Sequence, residues 1–243
     1  MAVTTVYQSS QGRVGNSASG TLAAAWASTK GTNTTTGNSV GSTSTNDNFG
    51  SRTEAARGGQ FLATNYRAYF YFDLSSITTT ITGITFTARG GTNSTNQNGD
   101  WIAVRANQDA DFGTIATSDY TLVYNSSAVF TNYSQNVASW SYNADNTVTL
   151  NPTAVSKANS EGELCVGLMN YTYDYDGAEV EESIGDIFNS LSFVNSGTTR
   201  ARLTVTHADA PSGYGNEVNN IIPASISKVL GIATADISKV TGV

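Results

Sequence analysis

The sequence has one cysteine, one histidine and three prolines among its 243 residues, and only 13% of the residues are charged. A single cysteine excludes a disulfide framework within the chain, and we expect Cys165, which lies in an apolar run, to pack as a small hydrophobic residue. The single histidine, His207, excludes a histidine-rich metal site and argues against a Ser-His-Asp triad. We interpret it as a solvated linker residue.

Long apolar runs are also missing. No stretch of about 20 apolar residues occurs, which is the length that a membrane-spanning helix needs. The first 20 residues lack the basic and then apolar pattern of a signal peptide. The 19 acidic residues outnumber the 12 basic ones and give a net charge of −7. We therefore expect no membrane insertion and no secretion, and the charge disfavours binding to nucleic acids or anionic membranes.

Gly, Ser, Thr, Asn and Tyr are abundant, and this mixture favours short strands joined by polar turns. The pattern predicts one short helix over residues 152–159, with Asn151 as its cap and proline at its first position. The predicted fold is all-β, a jelly-roll-like β-sandwich. The predicted strands cover residues 2–8, 67–74, 81–88, 101–105, 119–124, 138–142, 146–150, 163–175, 190–194 and 199–206.

The composition divides the chain into four regions. Residues 1–60 are predicted to be an N-terminal strand followed by a Gly/Ser/Thr/Asn-rich loop or arm that belongs to the body, and residues 61–206 are predicted to form the sandwich. Residues 207–216 have the small, Pro- and Gly-bearing character of a linker. Residues 217–243 form a C-terminal repeat.

The repeat is the most unusual feature of the sequence, because ISKVLGI at residues 226–232 recurs as ISKVTGV at residues 237–243. Apolar residues spaced three and four apart, followed by glycine, predict one or two helical turns in each copy. Helices this short are unstable in water, so they must dock on the body, on identical tails or on another protein. We expect an assembly anchor, formed by Val218, Ile221, Ile226, Val229, Leu230, Ile232, Ile237, Val240 and Val243.

Four stretches of the body together resemble the bacterial and phage β-sandwich domains called DNRLRE domains, which are similar in shape to carbohydrate-binding modules. These stretches are RAYFYFDLSSI, ITGITFTARG, NPTAVSKANSEGELCVGL and SFVNSGTTRARLTVTH, and the resemblance covers roughly residues 45–207. The resemblance implies a two-sheet jelly roll that serves as an adhesive or structural module and has no catalytic residues.

The tail resembles the C-termini of structural proteins in tailed bacteriophages. These carry the pattern I-[SA]-K-V-x-G-[VI] in tandem after a joint like Tyr-Gly-Asn-Glu-Val, which stands here at residues 214–218. The resemblance implies a virion protein that joins other virion proteins through its tail. Such a protein is assembled in the host cytoplasm, which agrees with the expected lack of a secretion signal.

The richest polar segment is YTYDYDGAEVEE at residues 171–182. Strand alternation would place Tyr171, Tyr173 and Tyr175 on one face, where rings can stack on sugars, and we add Trp101 as a further ligand candidate. Asp174, Asp176 and Glu179 could hold calcium through carboxylate oxygens. The alternative is a tyrosine-packed strand with a solvated acidic loop, and Trp101 as a core residue.

Paired carboxylates also occur in glycosidases, but acidic surface pairs are common, so we expect no enzymatic activity. The sequence therefore favours a virion structural protein, either a head decoration or head fibre or a tail appendage, that displays its sandwich toward host glycans and is anchored or oligomerised by its tail. The alternative is the carbohydrate-binding module of a cell-surface adhesin.

Overall fold

The computed structural model describes residues 1–30, 37–41, 46–91, 100–106, 116–122, 132–178, 188–194, 196–209, 228–229 and 232–233. Most of these residues lie in two antiparallel sheets that pack face to face, so the all-β sandwich predicted from the sequence is confirmed.

The smaller sheet has four strands and contains both ends of the body. Its strands, in spatial order, are β1 (Ala2–Tyr7), β11 (Arg202–His207), β6 (Ile81–Arg89) and β8 (Asp145–Thr149). Alternation in β6 and β11 sends Ile84, Phe86, Leu203 and Val205 into the core, where each is at most 1% exposed. The intervening residues, mostly threonines, lie on the outer face.

The larger sheet is built around one long strand, β5 (Phe61–Asp73). Strand β2 (Ser10–Gly20) pairs along the whole of one edge of β5. The other edge is shared by β4 (Asn46–Ala55) and then β9 (Glu163–Asn170). The remaining strands are β3 (Ser39–Gly41) beside β2, β7 (Trp101–Arg105) beside β9 and β10 (Phe188–Val194) beside β4.

The two faces of β5 serve two hydrophobic clusters. Ala68, Phe70 and Phe72 face the smaller sheet and join the main core. Tyr69 and Tyr71 face away from it, and they pack with residues of β7 and β9 in a second cluster on the outer side of the larger sheet. A strand buried on both faces loses the simple polar-apolar alternation, because neither face is left to solvent.

Two α-helices accompany the sheets. Helix α1 (Leu22–Ala27) buries Leu22 and Trp26, and helix α2 (Pro152–Glu161) confirms the predicted helix. The side chain of Asn151 accepts hydrogen bonds from the backbone N–H groups of Thr153 and Ala154, and Gly162 ends α2 in the left-handed region at φ 68°.

Three sequence predictions about the body are wrong. Residues 117–122 form a 3₁₀ turn instead of a strand over 119–124. Residues 138–142 form no strand. The Trp140 side chain is buried in the core, and its indole N–H donates to the Ser192 carbonyl at 3.0 Å. His207 ends β11, where its ring nitrogens lie 2.9 Å from Thr4 Oγ1 and 2.8 Å from Thr79 Oγ1, so it is not a solvated linker residue.

The predicted helical turns are also wrong for the described part of the tail. Strand β12 (Lys228–Val229) pairs with β13 (Ile232–Ala233) in antiparallel orientation. The β-branched residues Val229 and Ile232 favour extended backbone. The rest of the repeat, including its second copy, lies outside the described residues.

The sandwich has two distinct ends. His207 pairs with Ala2 and with Ile81, the Ala208 N–H donates to the Thr80 carbonyl at 2.9 Å, and the N-terminal ammonium lies 2.6 Å from Asp209. We call this the exit end, because Asp209, the last described residue of the body, lies here. Strand β9 starts toward this end, since Asn159 of the preceding helix α2 bonds to Ile81 and Glu163 pairs with Asp73, and it runs away from the exit end to what we call the far end. Its eight residues span about 26 Å.

The cap of helix α2 gives a first prediction. Asn151→Ala removes the oxygen that accepts from the first helical turn, so the free energy of unfolding should fall by about 1 kcal/mol. Asn151→Ser loses the same hydrogen bond to the Asn132 carbonyl as Asn151→Ala but keeps a capping oxygen, so it should cost less. Urea unfolding followed by circular dichroism measures both, and equal losses in the two variants would contradict the capping role.

Candidate functional site: a braced tyrosine turn

Strand β9 does not continue to Tyr175 as predicted. It ends at Asn170, and residues 171–175 form a single π-helical turn. The Asn170 side chain starts the turn by accepting a hydrogen bond from the Tyr173 N–H at 2.7 Å, and the Asp176 N–H closes it on the Tyr171 carbonyl at 2.8 Å. Residues 170–178 are called the tyrosine turn below.

The turn divides the three tyrosines that alternation had placed on one face. Tyr171 and Tyr175, four residues apart, stack with ring centroids 5.5 Å apart and planes inclined by 23°. Tyr173 points elsewhere and meets Trp26 of helix α1 edge to face, at 5.8 Å and 86°. Tyr171 and Tyr175 are both half-buried, and they pack against the outer cluster of the larger sheet. The turn therefore presents a paired ring surface.

Asp100, which precedes β7, braces the start of the turn. The Asn170 side-chain amide donates to both the carbonyl and the carboxylate of Asp100, each at 3.0 Å. The Thr172 hydroxyl donates to the other carboxylate oxygen of Asp100. One carboxylate thus holds both Asn170 and Thr172.

Helix α1 and the residues after it brace the end of the turn. The Lys30 ammonium donates to the Gly177 carbonyl at 2.6 Å, and the Trp26 indole N–H donates to the Ala178 carbonyl at 3.1 Å. Gly177 is at φ 68°, a conformation that glycine adopts without steric cost. The turn is fixed at both of its ends.

The strongest brace is a buried ion pair in the middle of the turn. Arg67 of β5 is 0% exposed and Asp174 is 1% exposed. Their side chains meet in two parallel hydrogen bonds, Nε to Oδ2 at 2.7 Å and Nη2 to Oδ1 at 2.6 Å. The remaining Nη1 donates to the Tyr120 carbonyl at 2.8 Å, and the guanidinium lies 4.0 Å from the centre of the Tyr120 ring.

Burial and charge act against each other on this pair. Desolvation by itself lowers the pKa of Arg67, but the Asp174 carboxylate and the neighbouring Tyr120 outweigh it, so the pKa of Arg67 lies above its ordinary value. The guanidinium is therefore charged at every relevant pH, and it requires the Asp174 carboxylate as its partner.

Two tyrosine hydroxyls complete the buried polar group. Tyr69 donates to the Asp119 carbonyl at 2.5 Å, and Tyr120 donates to the Thr29 carbonyl at 2.6 Å. Burial raises the pKa of both phenols well above the ordinary value, although the nearby Arg67 charge opposes that rise. Both are held as neutral hydrogen-bond donors.

The predicted calcium site is not assembled in the described part of the chain. Both carboxylate oxygens of Asp174 bind Arg67, Asp176 is exposed at the end of the turn, and Glu179 lies outside the described residues. Among the described residues, no three His, Cys, Asp or Glu side chains are grouped as metal ligands. Asp174 is thus a structural residue of the turn.

Trp101 is not a ligand platform. Its side chain is 0% exposed, and its indole N–H donates to the Ser139 carbonyl at 3.1 Å. Its ring meets Trp140 edge to face at 5.4 Å. The alternative of a core residue is the correct one, because the ring fills the space between the sheets. Cys165, 5% exposed, likewise packs in the outer cluster as expected.

Sequence reasoning missed the residues that brace the turn. Arg67 stands in the middle of the aromatic strand β5, directly before AYFYF, and a charge there signals a buried partner of opposite sign. Its partner Asp174 is 107 residues later, and Trp26 and Lys30 are 152 and 147 residues from the carbonyl groups they bind, so local spacing does not reveal them.

Comparison with protein-family models and with curated proteins found no match to this chain. In the described part of the chain, no helix has both the length and the apolar character needed to cross a membrane.

The ion pair gives a second prediction. Asp174→Asn leaves the Arg67 charge buried without its counter-ion, so the free energy of unfolding should fall by about 3–5 kcal/mol. Asp145→Asn breaks a matched but partly exposed pair with Arg202, at 2.6 Å, and should cost at most about 1 kcal/mol. Guanidinium unfolding measures both, and similar losses would show that Asp174 has no special role.

The buried phenols predict a loss of stability in alkali. Their folded-state pKa values lie above the unfolded value of about 10, so the stability they contribute is complete below about pH 10 and is lost as the pH rises beyond it. Each phenol should add a slope of about 1.4 kcal/mol per pH unit above that point. Unfolding free energies of the natural chain and of Tyr120→Phe, measured from pH 9 to 12, test this, and equal slopes would contradict it.

Proposed function

We propose that this chain is a structural protein of a tailed-bacteriophage particle, as a head decoration, head fibre or tail appendage. Its sandwich is displayed outward for adsorption to host-surface glycans. Its C-terminal repeat attaches it to other virion proteins or to further copies of itself. The proposal assigns no catalytic step to the chain.

The direction of the strands in the sandwich carries this proposal. The last described residues of the body lie at the exit end, where Ala208 bonds to Thr80 and the N-terminus meets Asp209. The tyrosine turn follows the last residue of β9, about 26 Å away at the far end. A body attached through its tail would therefore point the paired tyrosines away from the point of attachment.

The tyrosine turn suits sugar binding. Aromatic faces pack on the apolar faces of sugar rings, and fixed polar groups around them hydrogen-bond to hydroxyls. Tyr171 and Tyr175 are held in place by Asp100, Lys30 and Arg67 before any ligand arrives. A pre-organised site loses little conformational entropy on binding, which favours affinity.

The tandem tail supports the virion assignment. Apolar residues in two nearly identical copies provide two equivalent contacts for a symmetric assembly. When several copies attach to one particle, avidity makes attachment firm although each contact is weak. The four described residues of the tail pair as two antiparallel strands, a form that can add to the sheet of a partner.

The proposal is tested on particles of the phage that encodes the chain, with each variant supplied in trans. Val229→Asp together with Val240→Asp places one charge in each repeat copy, and the particle-bound fraction should fall at least about tenfold, because an unpaired charge is costly to bury in an interface. Val3→Asp with Val40→Asp, at sites 64% and 50% exposed, is the matched control and should stay bound. Mass spectrometry of gradient-purified particles gives the bound fraction.

Tyr171→Ala with Tyr175→Ala should leave the chain on the particle but slow adsorption to host cells, whereas the control Tyr66→Ala should adsorb normally. A chain that is missing from purified particles but binds glycans would support the adhesin module instead. A chain that is missing from particles and binds no glycan would refute both functions.

A further inference from the structure

Three arginines stand close together on the outer face of the smaller sheet. Arg202 starts β11, and Arg200 stands two residues before it in extended backbone, at φ −60° and ψ 164°. Ala201 between them is 0% exposed in the core, so both arginines point to the outer side, about 7 Å apart along the strand. Arg202 pairs with Thr87 of β6, and continuing this register by two residues brings Arg200 beside Arg89.

Two of the arginines share one carboxylate. Arg202 Nη2 donates to Asp145 Oδ2 at 2.6 Å, and Arg89 Nη1 lies 3.7 Å from Asp145 Oδ1. Arg89 is also fixed by the Asn143 carbonyl, to which its Nη2 donates at 2.6 Å. One negative charge therefore faces two positive charges, and both guanidinium groups are held in place before any ligand arrives.

The third arginine, Arg200, forms no ion pair with the described residues. It is exposed, and its guanidinium lies 5.2 Å from the centre of the half-buried Tyr7 ring, which supports one of its faces. We call Arg89, Arg200, Arg202, Asp145 and Tyr7 the arginine patch. Its three positive charges and one negative charge leave an excess of +2, in a chain whose net charge is −7.

The excess charge of the arginine patch selects an anionic ligand. A carboxylate accepts two parallel hydrogen bonds from one guanidinium, and the opposite charges make these bonds stronger than neutral ones. The negative charge of the whole chain does not prevent binding, because charges in about 0.15 M salt are screened beyond about 8 Å. A ligand on the patch is therefore influenced mainly by the arginines themselves.

The size and the surroundings of the patch indicate an acidic polysaccharide. Three arginines are too few for nucleic acids or anionic membranes, which are held by larger groups of basic residues. An acidic protein segment would need apolar anchors beside its charges. The outward positions next to the patch are instead Thr5, two residues before Tyr7, and Thr204, two residues after Arg202. Their hydroxyls suit the hydroxyl groups of a polymer built from uronic acids.

We propose that the arginine patch binds a carboxylated polysaccharide, with one carboxylate on Arg200 and the polymer continuing over Arg202 and the neighbouring threonines. The site is separate from the tyrosine turn and does not rest on the function proposed above. Strand β11 runs from the patch to His207 at the exit end, so the patch lies toward the far end, as the tyrosine turn does.

The test uses the full chain and measures its affinity for immobilised polygalacturonate by biolayer interferometry, with dextran, double-stranded DNA and polyglutamate as the other surfaces. The natural chain should bind polygalacturonate more tightly than the other three, and binding should weaken as the salt concentration rises. Arg200→Gln removes one of the two excess charges, so the affinity should fall about fivefold or more. Arg57→Gln removes the same charge from an exposed arginine between β4 and β5 and should bind like the natural chain.

A second variant changes the affinity in the opposite direction. Asp145→Asn removes the one carboxylate of the patch and should strengthen binding to polygalacturonate about fivefold, a gain that a folding defect does not produce. Asp209→Asn makes the same change at the exit end, where the side chain is 69% exposed, and should leave the affinity unchanged. Tyr171→Ala with Tyr175→Ala should also leave it unchanged, which separates this site from the tyrosine turn.

The proposal is overturned if polygalacturonate does not bind, if dextran, DNA or polyglutamate binds equally well or better, or if Arg200→Gln matches Arg57→Gln. It is also overturned if Asp145→Asn and Asp209→Asn have equal affinities. Melting temperatures identify any variant that fails to fold, and the gain expected for Asp145→Asn then remains as the deciding measurement.

Discussion

The buried pair of Arg67 and Asp174 is the constraint on which the far end of the molecule depends. Two charges removed from water are tolerated only when all their hydrogen-bonding groups find partners. The bidentate contact and the Tyr120 carbonyl meet that need. Since Arg67 lies in β5, which is paired along both of its edges, the pair ties the tyrosine turn to the central strand of the larger sheet and helps to fix the position of Tyr171 and Tyr175.

The fold also explains why the molecule can have a fixed and a free end. The first strand and the last strand of the body pair with each other, so the N-terminus and Asp209, the last described residue of the body, lie together. If the tail attaches the body, as proposed above, the loops and turns at the other end can make contacts that attachment does not obstruct. In that proposal the separation depends on strand direction, and recognition needs no side chain at the exit end.

The sequence predicted those parts of the fold whose signals are local. In strands β6, β8 and β11, apolar residues that face the core alternate in the sequence with polar residues. Asn151 and Pro152 mark the start of helix α2. Strands β2 and β4 were missed because they are rich in Gly, Ser and Asn and owe their form to pairing with β5. The tyrosine turn was taken for a strand because Asn170, Asp100 and Arg67, which bend it, act from distant positions or through side-chain bonds that alternation does not reveal.

The scarcity of charge connects these observations. Only 13% of the residues in the chain are charged, so a neutral partner would have to displace water from few charged groups. Some of these charges already form ion pairs within the fold, as Arg67 does with Asp174 and Arg202 with Asp145. Much of what remains outside is hydroxyl, amide and tyrosine surface, which makes individually weak contacts because each exchanges one hydrogen bond with water for another. Such a surface binds a partner firmly only when many of these weak contacts act together. In the function proposed above, a tail that gathers several copies would supply those contacts, so that the anchor and the charge-poor faces would act together in adhesion.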